Sequence, residues 1–475
     1  MAWMIKWGVA LGAMFYVTSA QAQTLSESAL QAIDEVAAEA STARAMPGLA
    51  IAIRGPDGSI TFRGYGQRKI ETAEAVDETS IFRLGSISKL VTSAVVMKLL
   101  EDGKLSLDQP VREILQGKYG SNEIHASVTL LHLLNHTSGL PDYTRQELED
   151  GVSEGYFDRD RLISVLRRPS ENRAGEVWRY SDANYSLVSV IIEHVTGLSY
   201  DDYIEDVFAP AVGLQSLRAC DTSQTNKVTG YLATQSGFVL EPAYEVRGLQ
   251  GSGGLCSTAS DLVGLPAQLI AGHWIKPESL IRMLESTQLE GGVVVDYGLG
   301  VRGGILGNND AWGHTGGGLH GAWATLAHYP ASGYSIAVVA NGTGSGLDAS
   351  VIHARIARIL LNPSDLDDLT LSEDELEDLS GAYARGPVVS CIFVSDGKLF
   401  RRRAEGNAPA VPLLAQDKLI FGRSDYPLDR IVFQGADGPS PAFLMYYDGL
   451  FAEHWVREVA TGSDTGCKAA RSLNE

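Results

Sequence analysis

Beyond its N-terminal segment the chain has no apolar run long enough to cross a bilayer, few cysteines and a shortage of positive charge. Each deficit removes a class of function. Only 38 Lys and Arg stand against 58 Asp and Glu, a formal net charge of -20. A nucleic-acid groove or an anionic membrane surface needs clustered cations, so neither is expected as a partner. The four cysteines, Cys220, Cys256, Cys391 and Cys467, do not suggest a zinc site by number or spacing. They allow three pairings; pairing within each expected domain, Cys220 with Cys256 and Cys391 with Cys467, stands beside the alternative of free buried thiols. Internal repeats and extended low-complexity tracts are also missing.

What remains is a globular composition, 44% hydrophobic and 20% charged over 475 residues, too long for one ordinary core and ample for two domains. Residues 1–22 read as a secretory leader: Lys6 supplies a positive start, Trp7 to Val17 an apolar run, and Ala20-Gln21-Ala22 a small-x-small cleavage site. The apolar run is too short to span a hydrocarbon core of ~30 Å, which needs about 20 residues. No cysteine follows the cleavage site, so a lipid anchor is not expected. The mature chain is expected to begin at Gln23, in the periplasm or outside the cell, without a stable membrane anchor.

Along the chain, Leu49, Ile51 and Ile53 alternate with smaller residues, Pro56-Asp57-Gly58 marks a turn, and Ile60 to Gly66 reads as a returning strand. From Ser86 the pattern becomes apolar almost all round, through Leu90, Val91, Ala94, Val95, Met97, Leu99 and Leu100, and ends at Gly103. Such a helix belongs at the centre of a domain. Helical periodicities dominate from about Leu105 to Ala271, paired strands return at Gly321 to Tyr329 and Tyr334 to Ala340, and Ser350 to Leu361 reads as a closing helix. The dense acidic stretch Asp365 to Asp378 reads as a linker containing a short helix. Beyond it, alternating runs at Val389 to Val394, Lys398 to Arg402, Lys418 to Phe421, Arg430 to Phe433, Phe443 to Tyr447 and His454 to Val459 predict an all-β tail.

Three short motifs carry the chemistry: Ser86-Ile87-Ser88-Lys89, Tyr180-Ser181-Asp182 and His314-Thr315-Gly316. A serine hydroxyl is a poor nucleophile unless a proton acceptor lies within hydrogen-bond reach. Ser86 and Lys89, three apart at a helix start, share one face, and the helix N-terminus offers free N–H groups and a positive dipole end. In this order the motifs resemble the Ser-x-x-Lys, Tyr-x-Asn and Lys-Thr-Gly set of the penicillin-recognising serine hydrolases, which include class C β-lactamases, DD-peptidases, D-aminopeptidases and related esterases. The blocks Leu133 to Tyr143 and Gly253 to Leu262 resemble that family too, and the likeness runs from about Leu49 to Leu361.

The resemblance implies an α+β fold, an antiparallel sheet flanked by helices with a helical subdomain, over residues 23–362. An acidic linker would follow at 363–379, then a small β-barrel at 380–475 that resembles the lipocalin-like domains appended to some of these hydrolases. It also implies Ser86 as the acylated residue, Lys89 and Tyr180 as its proton-handling partners, and the backbone N–H groups of Ser86 and Gly317 as an oxyanion hole. Asp182, His314, Thr315 and Gly316 would border the substrate, and no cofactor or metal is required. Whether Tyr180 or Lys89 takes the proton stays open.

Two positions depart from the family pattern. Asp182 replaces Asn, which removes an N–H donor for an acylamino group and adds a carboxylate that would keep Lys89 protonated. His314 replaces the Lys of the β-lactamases; with a reference pKa near 6.5 it would gain charge in mild acid and then hold a substrate carboxylate better. Three decoys are set aside. Gly151 to Gly155 fits Gly-x-Ser-x-Gly but has no strand before it. His132 and His136 have zinc-protease spacing, yet Leu133 stands where the glutamate should be, and His136 reads as a structural residue of its turn. Gly342 to Gly346 lacks the lysine of a phosphate loop. The expectation is therefore an exported serine hydrolase acting on peptides or amides with D-residues, cell-wall fragments among them, or on small esters. A class C-like β-lactamase and a non-catalytic peptide-binding protein are the alternatives.

Overall fold

The computed structural model describes residues 25–42, 46–118, 121, 124–142, 162, 168–220, 226–234, 236–241, 249–290, 292–306, 308–317, 321–343, 348–362, 369–385, 388–404, 409–423, 429–435, 440–447, 451–457 and 467. The expected leader, the Gly151 to Gly155 loop, most of Gly342 to Gly346 and the first part of the acidic stretch lie outside these residues.

Alternation decides the centre of the molecule. In the strand Gly48–Arg54, Leu49, Ile51 and Ile53 point to one face and pack with Ile33, Val36, Ile336, Val338, Ile352 and Ile356. Ala50 and Ala52 point to the other face, into a larger core with Leu90, Val91, Leu326 and Val339. Both faces are therefore covered, one by the helices Glu27–Thr42 and Ala349–Leu361, the other by the helical subdomain. The strand pairs antiparallel with Ile60–Lys69 and with Tyr334–Ala340. It lies within a seven-stranded sheet running, in spatial order, Arg302–Leu306, Asn309–Gly317, Trp323–Tyr329, Tyr334–Ala340, Gly48–Arg54, Ile60–Lys69 and Glu74–Ala75.

The helix Ser88–Glu101 is buried along nearly its whole length, as its all-round apolar pattern requires. A 3₁₀ turn, Gly85–Ile87, precedes it, so Ser86 sits in tighter winding just ahead of the α-helix. The short strand Phe82–Arg83 before this turn pairs with Leu255–Ser257, which also pairs with Arg218–Ala219. A disulfide joins Cys220 to Cys256 at this small sheet, and a second joins Cys391 to Cys467.

The C-terminal region is a closed eight-stranded barrel. Its interior is filled by Tyr383, Ile392, Leu399, Phe421, Ile431, Phe433, Phe443, Met445 and Trp455, among others. Two of its strands, Gly381–Arg385 and Val411–Ala415, are absent from the sequence reading. The first is short and rich in small residues; the second contains Pro412, which demotes a run because it cannot donate to the ladder. The short helix expected in the acidic stretch is present, and it packs against the barrel. Glu373–Leu379 is a helix closed by a Ser372–Glu375 capping box, and Leu376 and Leu379 lie in the barrel core. The acidic residues hid an inward pair three apart.

Candidate active site

Two glycines allow the serine turn and the third motif to touch. Gly85 has φ +51°, and a Cβ on it would fall 2.7 Å from the Gly317 nitrogen. A Cβ on Gly316 would fall 2.0 Å from the Leu84 carbonyl oxygen and 2.9 Å from the Ser86 nitrogen. The strand Asn309–Gly317 thus runs directly against the turn that carries Ser86, and the Ser86 and Gly317 amides come to neighbouring positions. His314-Thr315-Gly316 belongs to that strand itself.

Lys89 is completely buried and has three acceptors. Its Nζ lies 3.1 Å from Ser86 Oγ, 2.5 Å from Asp182 Oδ1 and 2.8 Å from the Ser252 carbonyl oxygen. An ammonium has three protons, so each is used. Burial alone would push this ammonium down, but Asp182 and then Tyr180 outweigh it and its pKa stands raised. Lys89 therefore donates to Ser86 Oγ in this state. Asp182 is the first residue of the helix Asp182–Thr196, and its side chain is 26% exposed while that of its lysine partner is 0%.

Tyr180 is held from behind by His136. With φ +62°, His136 accepts from the Arg179 N–H on its carbonyl oxygen at 2.9 Å and from the Ser181 N–H on Nδ1 at 3.2 Å. The two rings lie 4.4 Å apart. The Tyr180 hydroxyl is buried with no hydrogen-bond partner among the described residues, and Lys89 Nζ lies 4.8 Å from the ring centroid. A buried hydroxyl without a partner is unusual in a folded protein. Its charged neighbour is the Lys89 ammonium, which it helps to hold protonated.

The hydrogen bonds also set the proton positions. His136 Nδ1 is an acceptor, so Nε2 carries the proton and donates to Tyr297 Oη at 3.1 Å. His314 Nδ1 donates to the Thr315 carbonyl at 2.6 Å, which leaves Nε2 to accept from Tyr297 Oη at 3.2 Å. The chain His136, Tyr297, His314 has one proton per gap. A second proton on His314 would turn its Nε2 into a donor facing the Tyr297 hydroxyl and break this order.

The expected acid-strengthened grip of His314 is therefore corrected. The ring is fully buried, and burial, with Arg302 and Lys89 adding like charge, pushes its pKa well below the usual histidine range. His314 is a neutral acceptor. Arg302 adds a second positive charge beside Lys89, its Cζ lying 5.3 Å from the Tyr180 ring centroid and 5.7 Å from that of Tyr297. Neither Arg302 nor Tyr297 was singled out from the sequence, because both reach the site through pairing: Arg302 opposite Gly313, and Tyr297 bridged to Arg302. His132 does not join His136; its Nδ1 accepts from the Thr129 N–H at the start of its own helix. Among the described residues no group of three or more His, Cys, Asp or Glu could hold a metal ion.

The fold and the site together are those of a serine hydrolase of the β-lactamase/transpeptidase type. The Beta-lactamase family model matches residues 33–361, and the chain belongs to that family. It is 29% identical over 273 residues to penicillin-binding protein 4* of Bacillus subtilis, covering 53% of this chain and 58% of that protein. The match thus spans little more than half the length of that relative. The penicillin-binding protein homologue of Pyrococcus abyssi, an octamer, superposes with a TM-score of 0.62 at 23% identity, covering 90% of this chain and 100% of that one. D-amino acid amidase from Ochrobactrum anthropi, solved with D-phenylalanine, gives 0.61 at 20% identity over 71% of this chain and 99% of its own. At these identities the two structures speak for the fold.

Proposed function

We propose that the protein hydrolyses small amides or short peptides of D-residues that carry a free amino group, through an acyl-enzyme on Ser86. The observation that carries this reading is the saturated ammonium of Lys89, held by Asp182, Ser252 and Ser86 at once. A lysine that donates to the nucleophile is not its base, which leaves Tyr180. In the proposed sequence the phenolate form of Tyr180 takes the Ser86 proton as Oγ attacks the carbonyl carbon. The developing oxyanion is received by the Ser86 and Gly317 N–H groups. Tyr180 then protonates the leaving nitrogen as the C–N bond breaks, takes a proton from the water that attacks the acyl-enzyme, and returns it to Ser86 Oγ as the acid leaves.

Asp182 supplies the specificity. One carboxylate oxygen engages Lys89, and the other, which can only accept, suits a substrate ammonium and offers no N–H to an acylamino carbonyl. The amidase likeness is in keeping with this choice, and a neutral His314 and an acidic residue 182 speak against efficient turnover of acylated β-lactams. The leader pattern and the two disulfides support an exported enzyme.

Intact mass after incubation with a fluorophosphonate, with Ser86→Ala as control, tests the nucleophile. A single adduct on Ser86, absent from the variant, is expected; an unlabelled wild-type chain would sink the enzyme reading in favour of a binding protein. D-Phenylalanine amide should then be cleaved at least about tenfold faster than its N-acetyl form, the discrimination expected when a charged hydrogen bond is lost.

A further inference from the structure

Among the described residues the barrel meets the hydrolase domain at 294–296 and along the strand from Arg302, a stretch that leads into the site. Gln434 of the barrel pairs its side-chain amide with both backbone groups of Val294, accepting from its N–H at 2.9 Å and donating to its carbonyl. Two residues on, Tyr446 of the barrel donates from Oη to Asp296 Oδ2 at 2.6 Å. Asp296 is buried, and its other oxygen accepts from Ser286 Oγ at 3.0 Å. The carboxylate also lies flat against Gly303, where an added Cβ would fall 2.1 Å from Oδ1. Ile305 packs with Val432, Leu444 and Tyr446.

Asp296 is thus clamped between the barrel, Ser286 and the strand that begins at Arg302. The next residue is Tyr297, whose hydroxyl sits between His136 and His314 and whose backbone bridges to Arg302. The Gly303 N–H bonds to the Asp296 carbonyl at 3.2 Å, so movement of Asp296 shifts both ends of the loop. Neither Tyr446 nor Gln434 is one of the groups that border Ser86, and a barrel attached only for its own sake would have no use for a fully paired carboxylate at this point.

We infer that Tyr446 and Gln434 are positioning residues of the hydrolase site: through Asp296 and Val294 the barrel fixes the 294–303 loop, and so places Tyr297 and Arg302. The catalytic region is complete only with the barrel docked. The inference concerns placement, and it rests on the proposed hydrolysis only for its kinetic readout.

Full-length Tyr446→Phe and Gln434→Ala, each with and without Tyr297→Phe, provide the test. Activity per fluorophosphonate-titrated Ser86 removes any unfolded fraction from the comparison. Tyr446→Phe is expected to lower kcat/KM per titrated site about tenfold in the native background and less than about twofold once Tyr297 is Phe, because the effect travels through that residue. A merely structural role would give the same factor in both backgrounds, and that result would overturn the inference. Amide hydrogen exchange supplies a second readout that needs no turnover. Exchange within 294–303 is expected to rise in both barrel variants while strands Trp323–Tyr329 and Tyr334–Ala340 stay protected; an unchanged loop would also overturn it. A wild-type chain that is inert to the fluorophosphonate defeats the hydrolase proposal alone, and the exchange result then decides the positioning.

Discussion

At the scale of single residues, Asp182 departs from the Tyr-x-Asn pattern that Tyr180-Ser181-Asp182 otherwise resembles. A carboxamide offers a donor and an acceptor; a carboxylate offers acceptors and a charge. Lys89 is held as an ammonium in a fully buried place where desolvation opposes the charge, so removing the charge of Asp182 frees the lysine to lose its proton. Asp182→Asn is expected to slow cleavage of D-amino amides by roughly 10- to 100-fold, the range for a lost charged hydrogen bond, and to raise the rate with N-acetylated analogues. Parallel steady-state kinetics on the two substrates check this. An equal change in both would mean that Asp182 only partners the lysine.

At the scale of elements, the site depends on the strand Asn309–Gly317 lying against the Gly85–Ile87 turn with backbone touching backbone. Gly316→Ala places a methyl group 2.0 Å from the Leu84 oxygen, and neither backbone can yield without moving Ser86 or the sheet. The variant is expected to lose about 3 kcal/mol of stability, as large steric clashes in a core do, and to react with a fluorophosphonate at least about 100-fold more slowly. Differential scanning and labelling rate check the two parts. The same contact shows what the sequence made legible. Ser86, Lys89, Tyr180, Asp182 and His314 stand in short local patterns, and the hairpin and the central helix follow from periods of two and of all-round apolarity. Tyr297 and Arg302 have no local pattern; strand register alone brings them in. Pro412 disguised one barrel strand, and the short helix expected in the acidic stretch gave no sign that its Leu376 and Leu379 enter the barrel core. The protonation of His314 was misread because a reference pKa presumes water, and burial is settled only by the fold.

At the scale of the whole molecule, buried histidines couple stability to pH. Burial pushes the His328 imidazole down to about 4, with Arg54 adding to the effect, and pushes His353 to about 3 and His454 to about 4. Each is depressed below the unfolded reference of about 6.5. Above that value neither state binds the proton and their contribution is fully present. As pH falls from 6.5 towards 4 the unfolded chain takes up protons that the folded chain refuses, so stability is lost. For three such groups the loss approaches about 4 kcal/mol per pH unit, or roughly 4 °C in Tm for a chain of this size. The buried carboxyls of Asp201, Glu241 and Asp296 are pushed up and work in the opposite direction. His132, His136 and His314, also depressed, add to the first group. The histidines outnumber the carboxyls, and Tm is expected to fall by a few degrees between pH 6 and pH 5. A flat scanning-calorimetry series over that interval would contradict this.

The seven-stranded sheet ends differently on its two sides. One edge is the two-residue strand Glu74–Ala75, too short to recruit a neighbour. The other is Arg302–Leu306, which meets barrel strands Ala442–Tyr447 and Phe451–Arg457 and packs Ile305 against Val432, Leu444 and Tyr446. A gene fragment stopping near residue 362 would bare that longer edge and its isoleucine to any passing chain, a template for self-association. The catalytic half is consequently not a portable module. Anyone grafting it onto another scaffold, or trimming it for expression, would have to supply a cover for that edge or expect inclusion bodies.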